Sequence, residues 1–415
     1  MTAPQASPEL PAGRITAKYV LMLGSMCALG AISTDIYLPS LPQVALDLGT
    51  SASSVQLTMT AMLIGNSIGQ LVIGPMSDRF GRRRPVLIGV LGHIVTSAAC
   101  VFAPDIVWLI AARALQGFCN AAAGVVAMAV IRDRFIGRAA SRLMSRLLLV
   151  IGVAPLFAPS LGGFIASFAT WRGVFGALAL YGLGLFVVVW LKLPETLAPE
   201  QRLISLSETW RGYGLLARDR RFLALAVLPG LVQAILMSYV VGSPFTLQIG
   251  FGLSPFMFSL VFALNGAGLV LGAQVSAGLV KRFTPAQLLR FAVPTLAVLT
   301  GWLFLVSHSG LGGLPLILVS LFVVVLFINF CPPNASALAM ARHGSRAGTA
   351  AALVGALQSG LAGLISPLVG LLGESAAAMS TIMWGAALAA LAVLVLGTPI
   401  FRRGGAQRLD SAGLR

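Results

Sequence analysis

Gly74–Leu87 reads G-P-M-S-D-R-F-G-R-R-R-P-V-L, a knot of charge set between two long apolar runs. No Asp, Glu, Lys or Arg occurs in 52–73 or in 85–103, and each run is long enough to cross a hydrocarbon core about 30 Å thick. A loop this short makes the two runs antiparallel neighbours. It sets Arg79, Arg82, Arg83 and Arg84 beside the membrane surface, which predicts a cytoplasmic loop. Gly74 and Gly81 are expected where backbones approach closely or turn, and Pro85 where the next helix opens. Asp78 stands alone among the arginines. A carboxylate here can sit at the N-terminus of another helix and pair with an arginine, which makes a lock that can be broken.

The composition extends this reading to the whole chain. Of 415 residues, 58% are hydrophobic and 10% charged, with 46 glycines, whereas soluble domains carry about 25% charged residues. An all-α polytopic membrane protein follows, in which small residues let helices pack closely. The net charge of +16 does not imply nucleic acid, because the basic residues fall in short loops rather than on one continuous face. Cys27, Cys100, Cys119 and Cys331 lie singly in apolar stretches, and His93, His308 and His343 are scattered. No disulfide framework, metal site or cofactor is expected from them. The residues before Tyr19 carry no cleavage pattern, so the first span is expected to remain.

Matching apolar runs to the bilayer gives about twelve spans. The first six lie at roughly 19–41, 52–76, 85–103, 106–130, 142–167 and 171–192. The second six lie at roughly 222–248, 255–280, 287–307, 312–338, 348–372 and 376–398. The expected organisation is a tail (1–18), a six-helix bundle (19–192), a polar linker (193–221), a second bundle (222–398) and a tail (399–415). Arg14 and Lys18, the Arg79–Arg84 cluster, Arg132, Arg134, Arg138 and Arg142, the linker with Arg202 and Glu208, Lys281 and Arg282, Arg342 and Arg346, and Arg402 and Arg403 occupy every second loop and both ends. The alternate loops hold Asp47, Asp105, Arg172 and Glu374. Both termini are therefore expected in the cytoplasm. Ala277–Pro285, A-G-L-V-K-R-F-T-P, echoes the opening stretch at Arg282 and Phe283 but puts Lys281 where the acid would be. Two related halves rocking about a midplane cavity is how secondary transporters are built.

Asp35 and Arg113 are the ionisable residues furthest from any loop. At 1.5 Å per residue Asp35 lies about 24 Å from Tyr19, and Arg113 lies about 12 Å from Asp105, so their depths are similar. A charge at such depth costs at least about 2.5 kcal/mol unless it is paired or hydrated, so each should face a partner or a wet cavity. Desolvation favours the neutral carboxyl and a nearby arginine favours the charged one, and that competition makes a proton switch. In the fifth span, Gly152–Gly163 reads G-V-A-P-L-F-A-P-S-L-G-G. Pro155 and Pro159 should bend the helix, and Gly152, Gly162 and Gly163 should admit a close neighbour, as suits a gate.

Gly74, Asp78, Arg79, Gly81, Arg82 and Arg83 fit the pattern G-x-x-x-D-R-x-G-R-R, which resembles the loop after the second span of the major facilitator superfamily. Together with R-x-x-Q-G at Arg113, Gln116 and Gly117, the fifth-span set and D-I-Y-L-P-S-L-P from Asp35, it resembles the twelve-span drug:proton antiporters. D-I-Y-L-P, P-E-T-L-A-P-E after the sixth span and A-G-T-A at Ala347–Ala350 resemble the Bcr/CflA branch, associated with bicyclomycin and chloramphenicol resistance. Ala158 departs from the wider motif, which has glycine there. The resemblance runs nearly end to end. It implies two pseudo-symmetric six-helix bundles around a central cavity, in the bacterial inner membrane, exporting small, partly apolar drugs by alternating access. It further implies that the proton gradient is the driving force, that Asp35 and Arg113 are the coupling residues, and that Asp78 belongs to an inner lock holding the outward-open state.

Candidate substrate contacts are the polar or aromatic mid-span residues Tyr37, Gln116, Asn120, Gln233, Tyr239, Asn265, Asn329 and Gln358, with Met59, Met62, Met128 and Met237 as an adaptable wall. Two halves in one chain need no partner to form a pathway, so a monomer in the bilayer is expected. A metabolite carrier of the same fold, with nucleoside, amino acid or siderophore-like cargo, would look identical at this level. A membrane enzyme would need clustered nucleophiles, bases or metal ligands at one face, and a receptor a soluble domain; the sequence has neither.

Overall fold

The computed structural model describes residues 17–135, 137–201, 206–341, 343, 346–402 and 409. Arg14, Arg202, Arg342 and Arg403 lie outside them, as do the side chains of Arg138, Arg142, Gly152, Pro155 and Glu208. Helices make up the fold, and no strand occurs among the described residues. They are α1 (Ala17–Asp35), α2 (Leu41–Asp47), α3 (Ala52–Phe80), α4 (Arg83–Val101), α5 (Ile106–Arg134), α6 (Gly137–Lys192), α7 (Leu206–Arg218), α8 (Arg220–Pro244), α9 (Pro255–Leu279), α10 (Pro285–Ser309), α11 (Gly313–Ile328), α12 (Pro332–Ala341), α13 (Ala347–Ile365), α14 (Leu368–Leu371) and α15 (Ala376–Gly397).

Eleven described stretches have the length and apolarity to cross a membrane. The twelfth span is the first part of α6. At 1.5 Å per residue its 56 residues would reach about 84 Å, far beyond a bilayer. The chain breaks at Thr170, whose φ of 57° and ψ of −179° are not helical, so α6 is two spans. Its dihedrals stay helical past Pro155 and Pro159, which places the reversal beyond the prolines. The span expected at 312–338 is also interrupted: α11 stops at Ile328 and α12 restarts at Pro332–Pro333, where two missing N–H groups prevent a continuous ladder. Asn334 Nδ2 bonds the freed Phe330 carbonyl at 2.8 Å. Within 193–221 the chain forms α7, which charge alone had marked only as polar.

In the first bundle α3 and α4 both pack along α5, and α1 packs on α6. In the second, α8 lies between α13 and α15, while α9 packs on α11 and α10 on α15. The halves meet along α3 with α13 and along α6 with α9. These are two six-helix bundles of a multi-pass membrane protein. For orientation, the loop end is the end bearing Gly81 and Arg82, and the far end is its opposite.

Close approach of α3 to α5 depends on two glycines. A Cβ on Gly65 would enter the Ala114 carbonyl, and one on Gly117 would enter the Met62 carbonyl. Gly385, by contrast, has nothing within 4 Å of where a Cβ would stand. Gly117→Val is therefore expected to destabilise the protein by about 1–3 kcal/mol through overpacking, while Gly385→Ala leaves the thermal melt of the detergent-solubilised protein unchanged or slightly raised.

Candidate functional site

A cavity of about 280 Å³ lies between the halves. Thr34 and Asp35 of α1, Met62 and Asn66 of α3, Gln233, Met237 and Tyr239 of α8, and Phe262 and Asn265 of α9 line it. Asp35 is 6% exposed, and its carboxylate has no hydrogen bond or ion pair with a described residue. It is the sole carboxylate among the described lining residues. Opposite, Asn265 Nδ2 donates to Tyr239 Oη at 2.8 Å, and the Tyr239 ring stacks on Phe262 with centroids 5.5 Å apart. Gln233 Oε1 accepts from Gln358 Nε2 at 3.2 Å. The wall thus combines one acid and several amides with apolar and aromatic surface.

Arg113 does not pair with Asp35: of the two settings expected for a charge at that depth, Asp35 faces the cavity and Arg113 has polar partners. The guanidinium is fully buried. Its Nη1 donates to the Ser33 carbonyl at 3.2 Å and to Gln116 Oε1 at 2.6 Å, and its Nη2 lies 3.5 Å from Met59 Sδ. The rings of Tyr37 and Phe175 stand 5.1 and 5.6 Å from its carbon, within cation–π range. Gln116 Nε2 donates in turn to Ser97 Oγ at 2.7 Å, and Ser97 Oγ lies 3.5 Å from His93 Nε2. Arg113 Nε is buried without a hydrogen-bond partner among the described residues. Three of the expected pocket residues, Tyr37, Gln116 and Asn120, are buried in the first bundle rather than on the cavity wall.

At the loop end α3 runs on to Phe80, so Asp78 and Arg79 close that helix and the loop is only Gly81 and Arg82. Gly81 has φ +89°, and a Cβ there would strike the Glu195 carboxylate. Glu195 Oε1 accepts from the N–H groups of Arg82 at 2.8 Å, Thr196 at 3.0 Å and Leu197 at 3.1 Å, and Oε2 from that of Arg83 at 3.3 Å. A carboxylate from the far end of the first bundle's sequence thereby caps α4. Arg82 pairs with Asp78 and with Asp133, its Nε lying 2.8 Å from Asp133 Oδ2. Asp78 is not seated on another helix start: a cavity of about 420 Å³ lined by Asp78, Arg132 and Tyr213 also reaches Gly348 and Thr349, at the start of α13. A Cβ on Gly74 would meet nothing closer than Val125 Cγ1 at 4.0 Å, so no neighbouring helix requires a glycine there. In the fifth span, a Cβ on Gly162 would enter the Ile36 carbonyl and one on Gly163 would press on Ser259 Oγ, so both glycines serve close packing, the second against α9. Pro159 is buried beside them.

Between the two cavities the halves are joined by neutral polar groups. Gln70 Nε2 donates to Asn66 Oδ1 at 2.6 Å and to Ser359 Oγ at 3.1 Å, and Ser359 Oγ donates to Asn66 Oδ1 at 3.2 Å. Ser67 Oγ donates to the Ala356 carbonyl at 2.8 Å. Asn66 lines the central cavity and Gln70 the loop-end one, so this clasp forms the floor between them. Towards the far end α3 closes on α14, where a Cβ on Gly370 would press on Gln56 and Ser53.

The family model for the Major Facilitator Superfamily matches residues 21–367. The chain belongs to that superfamily. YdgK of Bacillus subtilis (strain 168), an uncharacterized MFS-type transporter, is 38% identical over 90% of this chain and 94% of its own. A bicyclomycin resistance protein homolog of Haemophilus influenzae is 30% identical over 85% of this chain and 88% of its own. The solved peptide transporter POT, in complex with sulfate, superposes with a TM-score of 0.74 at 16% identity, covering 97% of this chain and 98% of that one, which establishes the shared fold. Membership makes the chain a small-molecule transporter, and the enzyme and receptor readings fall away.

Within the superfamily fold the structure sorts the remaining candidates. Gln233, Tyr239 and Asn265 line the central cavity with Met62 and Met237, whereas Asn329 bonds the Leu269 carbonyl at 3.0 Å and Met128 lines the loop-end cavity. Asn66, Gln70, Ser359 and Phe262 were not singled out by sequence. Asn66 and Gln70, four apart on one helix face, are the signal that could have marked the clasp. Burial raises the Glu195 carboxyl, but the N–H groups of Arg82, Leu197, Arg83 and Thr196 outweigh it and hold the group below the usual carboxylate range. Its contribution to stability is therefore complete above the unfolded value of about 4.3 and is lost as pH falls through the lower folded value. Glu195→Gln should destabilise at neutral pH by about 1 kcal/mol, the scale of a lost helix cap, and thermal melts of variant and wild type should converge in acid.

Proposed function

We propose that the chain is a proton-coupled exporter of small, partly apolar compounds, drugs such as chloramphenicol or bicyclomycin, working by alternating access as a monomer in the bacterial inner membrane. The observation that carries this reading is Asp35, a buried carboxylate without a hydrogen bond or ion pair among the described residues, set on the wall of a cavity to which both halves contribute. A carboxyl placed so can take a proton on one side of the membrane and release it on the other as the cavity changes its opening. Arg113 supplies a fixed cation in the same bundle, held by a carbonyl, an amide and two rings, with no acid spent on it. Movement of Asp35 toward it would favour proton release.

Cargo class is supported by the mixed wall of Met62, Met237, Phe262 and Tyr239 beside Asn66, Gln233 and Asn265, and by the name of the bicyclomycin resistance relative. The arginine-rich loop end supports cytoplasmic termini. Asp78, paired with Arg82 and facing the start of α13 across a cavity, has the position of one half of a lock that closes when that cavity does.

Proteoliposomes with an imposed pH gradient test the reading, with chloramphenicol and a cationic dye as cargos. Wild type is expected to move at least one of them uphill with countermovement of protons. Asp35→Asn should fold and still exchange cargo downhill while losing all uphill transport; full proton-driven export by that variant would refute the coupling role. A drug-sensitivity panel in a strain lacking its own pumps separates drug export from metabolite carriage. Asp78→Asn should lower the turnover rate while leaving equilibrium binding of cargo unchanged, as measured by tryptophan quenching.

A further inference from the structure

The loop-end corner of α3, α4 and α5 carries a second site, unrelated to the central cavity. α3 and α4 each lie along α5 but touch each other little, which leaves a groove between them. The groove measures about 340 Å³, and Ile73, Met76, Ile88, Phe118 and Cys119 are among the residues that line it. Arg84 stands at its mouth and also borders an adjoining hollow beside Trp190. Ile88 is 70% exposed on a span helix, so the groove opens to the hydrocarbon of the bilayer. Gly89, at the inner end, is five residues from Arg84, so the groove runs about 7 Å inward from the arginine.

Charge decides what completes it. The acids of this corner are already engaged: Asp78 and Asp133 hold Arg82, and Glu195 is satisfied by four backbone N–H groups. Arg84 has no hydrogen bond or ion pair with a described residue. Among the described residues Arg79 makes a cation–π contact with Phe80 and no hydrogen bond or ion pair. A guanidinium at the membrane surface with an apolar channel running inward from it matches one ligand chemistry, a phosphate joined to an acyl chain. We propose that the groove binds an anionic phospholipid, its phosphate on Arg84 and one acyl chain between α3 and α4. The excess of positive charge selects an anionic over a zwitterionic headgroup, with Arg79 adding to the field.

Native mass spectrometry of the delipidated full chain in detergent tests this, with phosphatidylglycerol, phosphatidylcholine and glycerol 3-phosphate as probes. Phosphatidylglycerol is expected to bind more tightly than phosphatidylcholine, and glycerol 3-phosphate, which lacks the chain, not to bind. Arg84→Gln should weaken phosphatidylglycerol by about fivefold, the scale of one basic residue at a charged surface, and Arg84→Lys by less. Arg282→Gln, an exposed arginine of the other half, should leave it unchanged. Both Arg84 variants are expected to fold, since that side chain holds no other part of the protein. Equal binding of the two lipids, or equal losses from Arg84→Gln and Arg282→Gln, would overturn the site in favour of a general basic belt. Binding of glycerol 3-phosphate as strong as that of the lipid would remove the groove from the proposal.

Discussion

Charge is expensive inside a bilayer, and the way this chain places two charges determines much of the rest. Arg113 has no ion pair among the described residues, yet it is fully buried. Its cost, about 2.5–3.5 kcal/mol for an unassisted cation at mid-helix, is offset by charge-assisted hydrogen bonds and two aromatic faces. Those partners come from four helices: Ser33 from α1, Met59 from α3, Gln116 from α5 itself and Phe175 from α6. The guanidinium therefore fixes how the helices of the first bundle are rotated about one another. Asp35 is treated in the opposite way, left without a hydrogen bond or ion pair among the described residues and turned to the cavity. One charge organises a bundle, and the other faces the cavity.

The loop end shows the same economy at the membrane surface. Three carboxylates, Asp78, Asp133 and Glu195, converge on Arg82 and its neighbours, two through the Arg82 side chain and one through backbone N–H groups. Glu195 occupies the place a local Ser or Asp would fill at the N-terminus of α4, so the end of the sixth span is tied to the start of the third. Gly81 is required for this: its positive φ reverses the chain, and a side chain there would occupy the space of the Glu195 carboxylate.

Much of this was legible in the sequence, and the limit is physical. Span number and order follow from apolar length, and Asp35 and Arg113 stand out because ionisable residues are rare at depth. Helix rotation is not written in a run that is apolar on every side. Tyr37 and Gln116 were expected to face cargo and instead serve Arg113. Which carboxylate would cap α4 could not be read either, because Glu195 lies 112 residues from Arg83 and only the folded bundle brings them together. The Asn66–Gln70–Ser359 clasp was only half legible for a related reason: the i, i+4 pair on α3 is in the sequence, but its partner Ser359 belongs to the other half, and contacts between halves depend on the conformation adopted.

That clasp also explains how the two halves can be joined between the cavities without being locked together. Hydrogen bonds between neutral amides and hydroxyls each contribute only about 0.5–1.5 kcal/mol net, so parting α3 from α13 at Gln70 and Ser359 costs a few kcal/mol at most. A two-state transporter needs its states within such a range, since a ligand or proton shifts an equilibrium only by its differential affinity for them. A buried ion pair in the same place would cost about 3–5 kcal/mol if one partner were withdrawn, and would hold one state against the energy available. Among the described residues the arginine–carboxylate pairs lie instead within the first half, Arg82 with Asp78 and Asp133 near the loop end and Arg172 with Asp47 near the far end, while His343 contacts Asp219 beside the second bundle. Rigid bundles joined across their interface by weak, neutral contacts are what rocking requires.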